Sequence, residues 1–192
     1  MSISSVKTGA VGVSLLAGNT YYDPAATFLI ERITATGGST TLTFTSIPST
    51  YKHLQIRGIG KSANVGEFAG LIRVNTDSGN NYSTHTLYGN GSSAGASGTA
   101  SNNNVGGIRV AQSTETNTFG AVIVDIHDYA NTAKYKTIRT FTGADGNVSN
   151  TNYQVMLASG VWLNTTAITS ISLLQLGNWA AGSTFALYGM VG

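Results

Sequence analysis

Residues 40–59 read TTLTFTSIPSTYKHLQIRGI, and the alternation inside this stretch decides the fold class. Leu42 and Phe44 alternate with threonines, and after a short turn the pattern resumes with Leu54 and Ile56 between polar neighbours. A two-residue period is that of a β-strand with one buried face and one wet face. The stretch therefore predicts two short strands that each contribute one apolar face to a core.

Similar strand signals, separated by turn residues, follow one another along the rest of the chain. The strand candidates are Phe28–Thr34, Thr40–Ser46, Tyr51–Ile59, Phe68–Asn75, Asn81–Tyr88, Gly106–Val110, Phe119–Asp128, Tyr135–Thr142, Tyr153–Trp162, Ile168–Leu176 and Phe185–Met190. The only two prolines, Pro24 and Pro48, lie outside these candidates, as strands that need their backbone donors require. We predict an all-β protein, an antiparallel β-sandwich that we expect to be of jelly-roll type.

Uncharged residues dominate the polar part of the composition. Asp, Glu, Lys and Arg make up 9% of the 192 residues, against about 25% in an average soluble domain. Ser, Thr, Asn and Gly can pack against a partner without like-charge repulsion or the desolvation penalty of a charge. The composition therefore favours a structural or adhesive module over an enzyme.

Charge and cysteine content exclude several kinds of site. Ten basic and eight acidic residues give a formal net charge of +2 and are spread along the chain, so we predict no nucleic-acid partner, which would need a concentrated basic patch. The absence of cysteine removes disulfides, Cys-based zinc sites and thiol nucleophiles. No apolar stretch approaches the ~20 residues of a transmembrane helix, so we expect no membrane partner.

Residues 1–27 differ in pattern from the rest and predict an extended N-terminal arm, followed by a β-sandwich domain at residues 28–192. Glycines interrupt the apolar residues of this segment, and the helical spacing is poor. Because these side chains have little of their own segment to pack against, we expect burial on the domain or on a neighbouring molecule. The arm residues predicted to bind a partner are Val6, Val11, Leu15, Leu16 and Tyr21.

The segment Gly89–Gly107, GNGSSAGASGTASNNNVGG, has almost no side chain large enough to enter a core. It predicts a long loop or a flexible flap. Such a loop could lie closely against another protein, or it could be a solvated linker without a role, and the sequence leaves both interpretations open.

The strongest candidate for chemistry is Asp125-Ile126-His127-Asp128. On a strand, Asp125 and His127 share a face, so a carboxylate and an imidazole could meet there for metal binding or acid–base chemistry. The simpler interpretation is a wet strand face that ends in a turn, since no third ligand is evident nearby and His53 and His85 lie in other strands. With no nucleophile elbow, P-loop or H-E-x-x-H motif, we predict no catalytic residue, metal site or cofactor.

Lys134, Lys136 and Arg139 form the densest basic stretch. We interpret it as a solvated strand edge, where lysine discourages unwanted pairing, with an acidic partner surface as the functional alternative. Among the aromatic residues, Trp179 and Tyr188 are candidate platforms for a sugar, although Trp179 flanks an apolar strand and is equally suited to a core.

Three phrases of the chain resemble structural proteins of tailed bacteriophages, of the kind found in phages of aquatic bacteria and cyanobacteria. They are FTSIPSTYKHLQIRGIG (Phe44–Gly60), VDIHDYANTAKYKTIRTFTG (Val124–Gly143) and ITSISLLQLGNWAAGSTFALYG (Ile168–Gly189). The opening SISSVKTGAVGVSLLAG is similar to the N-termini of these proteins, so the resemblance covers nearly the whole chain. It carries over no catalytic residue.

The resemblance implies a virion protein, made in the host cytoplasm and incorporated into the phage particle, with the major capsid protein or a tail protein as its partner. We expect a non-enzymatic capsid decoration or cement protein, a homotrimer, that stabilises the mature shell by binding it. The alternative is a tail-fibre or tail-tip adhesin that binds host surface glycan through Trp179 and Tyr188. A third hypothesis, a polysaccharide hydrolase, lacks an evident pair of acids.

Overall fold

The structure is a computed structural model that describes residues 13–16, 19–22, 27–146 and 152–191, and side chains from residue 27 onward. These residues contain no helix and fourteen strands. The strands are β1 (Val13–Leu16), β2 (Asn19–Tyr22), β3 (Thr27–Thr34), β4 (Thr41–Phe44), β5 (His53–Gly60), β6 (Ala69–Val74), β7 (Tyr82–Gly89), β8 (Ala94–Asn102), β9 (Val105–Arg109), β10 (Gly120–His127), β11 (Lys136–Gly143), β12 (Val155–Trp162), β13 (Ile171–Gln175) and β14 (Thr184–Met190).

Two antiparallel sheets make up the domain. The large sheet has eight strands in the order β3-β14-β5-β10-β11-β12-β7-β8, and the small sheet has four in the order β4-β13-β6-β9. Strands β1 and β2 form a separate two-stranded sheet. The prediction of an all-β antiparallel sandwich is confirmed.

The core lies between the two sheets and follows the two-residue period of the sequence. Leu54 and Ile56 of β5 and Val124 of β10 are fully buried, whereas their chain neighbours are turned to the other face. Trp179 and Phe185 meet edge to face, with ring centroids 5.0 Å apart. Full burial of a large apolar side chain is worth about 1.5–3 kcal/mol, so this shared core is the main source of stability.

Eight strands carry the chain back and forth between the sheets, and two inserted pairs widen one of them. β3, β5, β10 and β14 belong to the large sheet, and β4, β6, β9 and β13 to the small one. The pairs β7–β8 and β11–β12 extend the large sheet beyond β10, and β9 of the small sheet packs against β7, β11 and β12. The large sheet is therefore twice as wide as the small one.

The approach of β9 to the large sheet depends on Gly107. Gly107 has a φ of +95°, in the left-handed region that glycine tolerates, and a Cβ placed on it would lie 2.4 Å from the Cβ of Ala158. Its carbonyl accepts hydrogen bonds from the hydroxyls of Thr140 (2.7 Å) and Thr142 (3.2 Å). Glycine is needed here both for the backbone conformation and for the close contact.

The prediction of a long loop at Gly89–Gly107 is wrong, because most of this segment forms β8 and the start of β9. β8 pairs with β7 and forms an edge of the large sheet. The Tyr88 ring covers Gly95 and the His85 ring covers Gly98, on opposite faces of the sheet. Side chains of the neighbouring strand thus supply the contact area that the small residues of β8 lack.

The predicted division into an arm (residues 1–27) and a domain (28–192) remains a prediction. Leu15 and Leu16 belong to β1, and Tyr21 belongs to β2, but their side chains are outside the described part of the structure. Val6 and Val11 lie outside the described residues altogether. The proposed burial of these five side chains therefore remains a prediction too.

Candidate functional site

The face of the large sheet that is turned away from the small sheet, here called the outer face, carries several exposed large apolar side chains. On β10, Val122, Val124 and Ile126 point into the core, which leaves Ile123 and Asp125 on the outer face. The antiparallel register then places the outer residues of successive strands beside one another.

A continuous apolar row crosses four strands of the outer face. Leu87, Leu157, Phe141 and Ile123 are successive register partners on β7, β12, β11 and β10. Leu87, Leu157 and Phe141 are 60%, 46% and 54% exposed. Val155 and Ile59 extend the exposed apolar surface in the next row. A contiguous exposed apolar patch of this kind marks an interaction surface more often than a scatter of single residues does.

A polar row runs beside the apolar row, two residues further along each strand. It consists of His85, Ser159, Arg139, Asp125, Gln55 and Tyr188, in register from β7 to β14. The Gln55 amide donates a 2.7 Å hydrogen bond to Asp125 Oδ1, and Arg57 Nε donates to Gln55 Oε1 at 2.5 Å. The Asp125 carboxylate is therefore held by Gln55, and it makes no ion pair with Arg139.

The histidine and second aspartate of the predicted Asp125–Asp128 motif lie in a different cluster from Asp125. The rings of His127 and His53 stand edge to face with centroids 5.0 Å apart, and the Asp128 backbone N–H donates to His53 Nδ1 at 3.0 Å. Burial, followed by the neighbouring His127, lowers the pKa of His53. The motif thus divides between two environments, and Asp125 and His127 share a face, as the strand period predicts, without sharing a partner.

Asp128 is fixed by two lysines at the start of the turn after β10. Lys134 Nζ donates to Asp128 Oδ2, and Lys52 Nζ lies 3.1 Å from Oδ1. The hydrogen bond from Lys134, with that from Lys52, holds the pKa of Asp128 at about 2. A carboxylate held by two ammonium groups stays ionised at neutral pH, so its chief physical effect is to fix the turn.

The interpretation of Lys136 as part of a solvated edge is wrong. β11 lies between β10 and β12, in the interior of the sheet, and the Lys136 side chain is fully buried. Its ammonium group donates to the carbonyls of Lys134 and Thr165, each at 2.9 Å, and to that of Asn131. Burial lowers the pKa of Lys136. No local sequence signal indicates these acceptors together, because Asn131 and Lys134 lie in the loop between β10 and β11, whereas Thr165 lies in the loop between β12 and β13.

The two aromatic candidates for sugar binding differ in accessibility. Trp179 is fully buried, packs against Phe185 and donates a 3.2 Å hydrogen bond to the Leu173 carbonyl, so its ring is not available for stacking on a sugar. Tyr188 is half-buried in the polar row of the outer face. The prediction that Trp179 binds a sugar is therefore wrong, and the glycan role of Tyr188 remains a prediction.

The apolar row was missed at the sequence level, although a signal for it exists. The candidate strands that contain Leu87, Phe141 and Leu157 have apolar residues at both odd and even positions, and therefore on both faces of the strand. A strand with one face in water needs apolar residues on only one face. Only the register of the folded sheet shows that these outward residues are neighbours.

Within the described ranges, no group of three His, Asp or Glu side chains is placed to hold a metal ion. The part of the chain that the structure describes also has no helix long and apolar enough to cross a membrane. No protein-family model, curated protein or solved structure matches the chain.

Proposed function

We propose that this protein is a non-enzymatic structural component of a tailed-phage particle, a capsid decoration protein that attaches through the outer face of its large sheet. The observation that carries the proposal is the exposed apolar row formed by Leu87, Leu157, Phe141 and Ile123. None of these four side chains is charged, and the row crosses four neighbouring strands. The resemblance of the chain to phage structural proteins is the reason for proposing a capsid partner.

The apolar surface of the outer face is sufficient for attachment to a repeating lattice. Five exposed side chains, Leu87, Leu157, Phe141, Val155 and Ile59, keep about half of their surface in water. Burying the remaining half gains about 1 kcal/mol for each, or about 5 kcal/mol before the entropic cost of association. An oligomer that engages several lattice sites at once adds avidity to this modest contact, which agrees with the homotrimer we propose.

The strand order supports a jelly-roll sandwich with two inserted strand pairs. Four strands in each sheet, β3-β14-β5-β10 and β4-β13-β6-β9, account for the eight strands of such a fold. Jelly rolls serve in viral capsids and in lectins, so the topology suits either proposal for this protein. The topology does not distinguish a decoration protein from an adhesin, because a fold does not specify a function.

Decoration would act by mass action. A protein that binds the mature shell and not its precursor stabilises the mature state by its own binding free energy. The partner we propose is the major capsid protein, and the N-terminal segment with Leu15 and Leu16 provides a second contact. The protein would be made in the host cytoplasm and incorporated into the particle.

The second candidate function is a tail adhesin for host surface glycan. The observation that favours it is the polar row, where the fixed Asp125 carboxylate and the Gln55 amide lie beside the half-buried Tyr188. Acceptors and amide donors next to an aromatic ring are suited to sugar hydroxyls and to the apolar face of a sugar ring. Here the same outer face would point toward the host cell.

Co-sedimentation of the purified protein with mature capsids, precursor shells and host cells tests both proposals. We expect saturable binding to mature capsids alone. Binding to cells alone would support the adhesin and refute capsid decoration. Binding to none of the three would overturn both proposals.

Two sets of variants locate the contact. Phe141→Asp with Leu157→Asp should abolish capsid binding, whereas Leu176→Asp, at a somewhat more exposed leucine outside the large sheet, should not. Leu15→Asp with Leu16→Asp tests the arm. Undiminished occupancy for the double outer-face variant would show that the attachment surface lies elsewhere.

A further inference from the structure

A groove of about 450 Å³ lies at the corner of the outer face, over β7, β8, β12 and β11. Leu87 and Leu157 form one wall, and His85 and Arg139 form the other. Ser159 lies between His85 and Arg139 in the register, and its short side chain leaves the depression between them. The groove thus has an apolar wall and a wall of nitrogen-bearing side chains.

The charge of the groove is one-sided. Arg139 is exposed and makes no hydrogen bond or ion pair with any described residue, and no carboxylate lines the groove. Asp125 is the register partner of Arg139, but its Oδ1 accepts the hydrogen bond from Gln55. An acidic group that enters the groove would therefore find an unpaired guanidinium, which can accept a carboxylate in a bidentate arrangement.

The spacing of the two walls matches an extended peptide. Leu157 and Ser159 are two residues apart on β12, as are Leu87 and His85 on β7, so the walls are separated by about 7 Å. In an extended peptide, side chains at positions i and i+2 lie on the same side and are also about 7 Å apart. One such side chain can reach the leucines while the other reaches Arg139.

The groove is open toward the edge of the sheet. Its lining on the edge strand β8 consists of Ala96 and Ser97, whose side chains are short. A chain can therefore enter without displacing a large side chain. A free inorganic anion would make no apolar contact with the leucine wall, and a neutral sugar would leave Arg139 without an acidic partner.

We propose that this groove binds an extended peptide segment of a neighbouring protein, with an apolar residue and an acidic residue two positions apart. The apolar side chain contacts Leu87 and Leu157, and the carboxylate pairs with Arg139. The assignment of the segment to a neighbour in the particle rests on the proposed function, whereas the chemistry of the groove does not.

Titration of the full-length ¹⁵N-labelled protein with short blocked peptides, followed by NMR, tests the proposal. The probe is acetyl-Ala-Leu-Ser-Glu-Ala-amide, and the controls replace Glu with Gln or place Leu and Glu next to each other. We expect shifts at the amides of β7, β11 and β12, with binding about tenfold weaker for each control peptide. Equal binding of the three peptides, no binding, or shifts confined to other strands would overturn the proposal.

The matched variants are Arg139→Gln and Arg32→Gln. Both arginines are exposed on the large sheet, and Arg32 lies on β3 at the opposite edge. Arg139→Gln should weaken the probe about tenfold and leave thermal stability unchanged, whereas Arg32→Gln should change neither. Equal affinity of the two variants would refute the role of Arg139.

Failure of this inference can be distinguished from failure of the proposed function. Capsid binding without peptide binding would leave decoration standing and refute the groove. Peptide binding without capsid binding would support the proposed groove and refute the assignment of its ligand to a neighbour in the phage particle.

Discussion

Replacement of Lys136 by Met should destabilise the domain, because the ammonium group of this buried residue joins two loops. Nζ donates to the carbonyls of Asn131, Lys134 and Thr165, and the side chain is fully buried. Methionine has similar length and fills the same space, so the change removes the donors while it preserves most of the packing.

The magnitude follows from two opposing contributions. Hydrogen bonds from a charged donor contribute about 1.5–3 kcal/mol each, whereas burial of a charge costs several kcal/mol. Loss of the donors leaves three carbonyls in turns, where some regain water. We therefore expect a net loss of about 2–3 kcal/mol, or about 5–10 °C in the melting temperature of a protein of this size.

Urea and thermal unfolding monitored by circular dichroism measure this loss. Lys134→Met, at the exposed neighbour that pairs with Asp128, is the matched control and should cost less than about 1 kcal/mol. If Lys136→Met proved as stable as the wild type or more so, desolvation of the ammonium group would outweigh its hydrogen bonds, and the reasoning would be refuted.

Four further outcomes are expected. Because the pKa of Asp128 is about 2 in the folded protein against 3.8 ordinarily, its stabilisation is complete above pH 3.8 and is lost as pH falls through about 2; Asp128→Asn should flatten this part of the acid unfolding curve. The lowered pKa of Lys136 acts toward greater stability as pH rises toward 10.5, and an alkaline stability profile that Lys136→Met does not alter would contradict this. Gly107→Ala should cost about 2–4 kcal/mol in urea unfolding, since its Cβ would clash with Ala158, and a cost below that of an ordinary surface change would argue against the close contact. Tyr88→Ala uncovers Gly95 and should speed hydrogen exchange along β8 while β10 stays protected; uniform exchange would show that Tyr88 does not hold the edge strand.

The elements that could be predicted from sequence are those whose signal is local. The alternation of Leu54 and Ile56 with polar neighbours indicates a half-buried strand whatever the rest of the chain does, and β5 is that strand. The same holds for the run from Val122 to Ile126 in β10. Local periodicity is sufficient for fold class because it depends only on which residues face the core.

The features that could not be predicted depend on neighbours distant in sequence. β8 is a strand because Tyr88 and His85 cover its glycines, and a composition of small residues gives no indication of that cover. The burial of Lys136 depends on carbonyls from two different loops, one of them at Thr165. The apolar row exists only through the strand register, which is a long-range property.

The position of β14 has a consequence for how the chain can fold. This last strand lies between β3 and β5 in the large sheet, and β13 lies between β4 and β6 in the small one. The hydroxyls of Thr34 and Thr184 meet at 3.1 Å across 150 residues of sequence. Neither sheet can be completed during synthesis until its late interior strand has left the ribosome, and contacts of such high sequence separation form slowly. The earlier strands must therefore stay free of aggregation until β13 and β14 have been synthesised, and their low charge provides little electrostatic repulsion during that time.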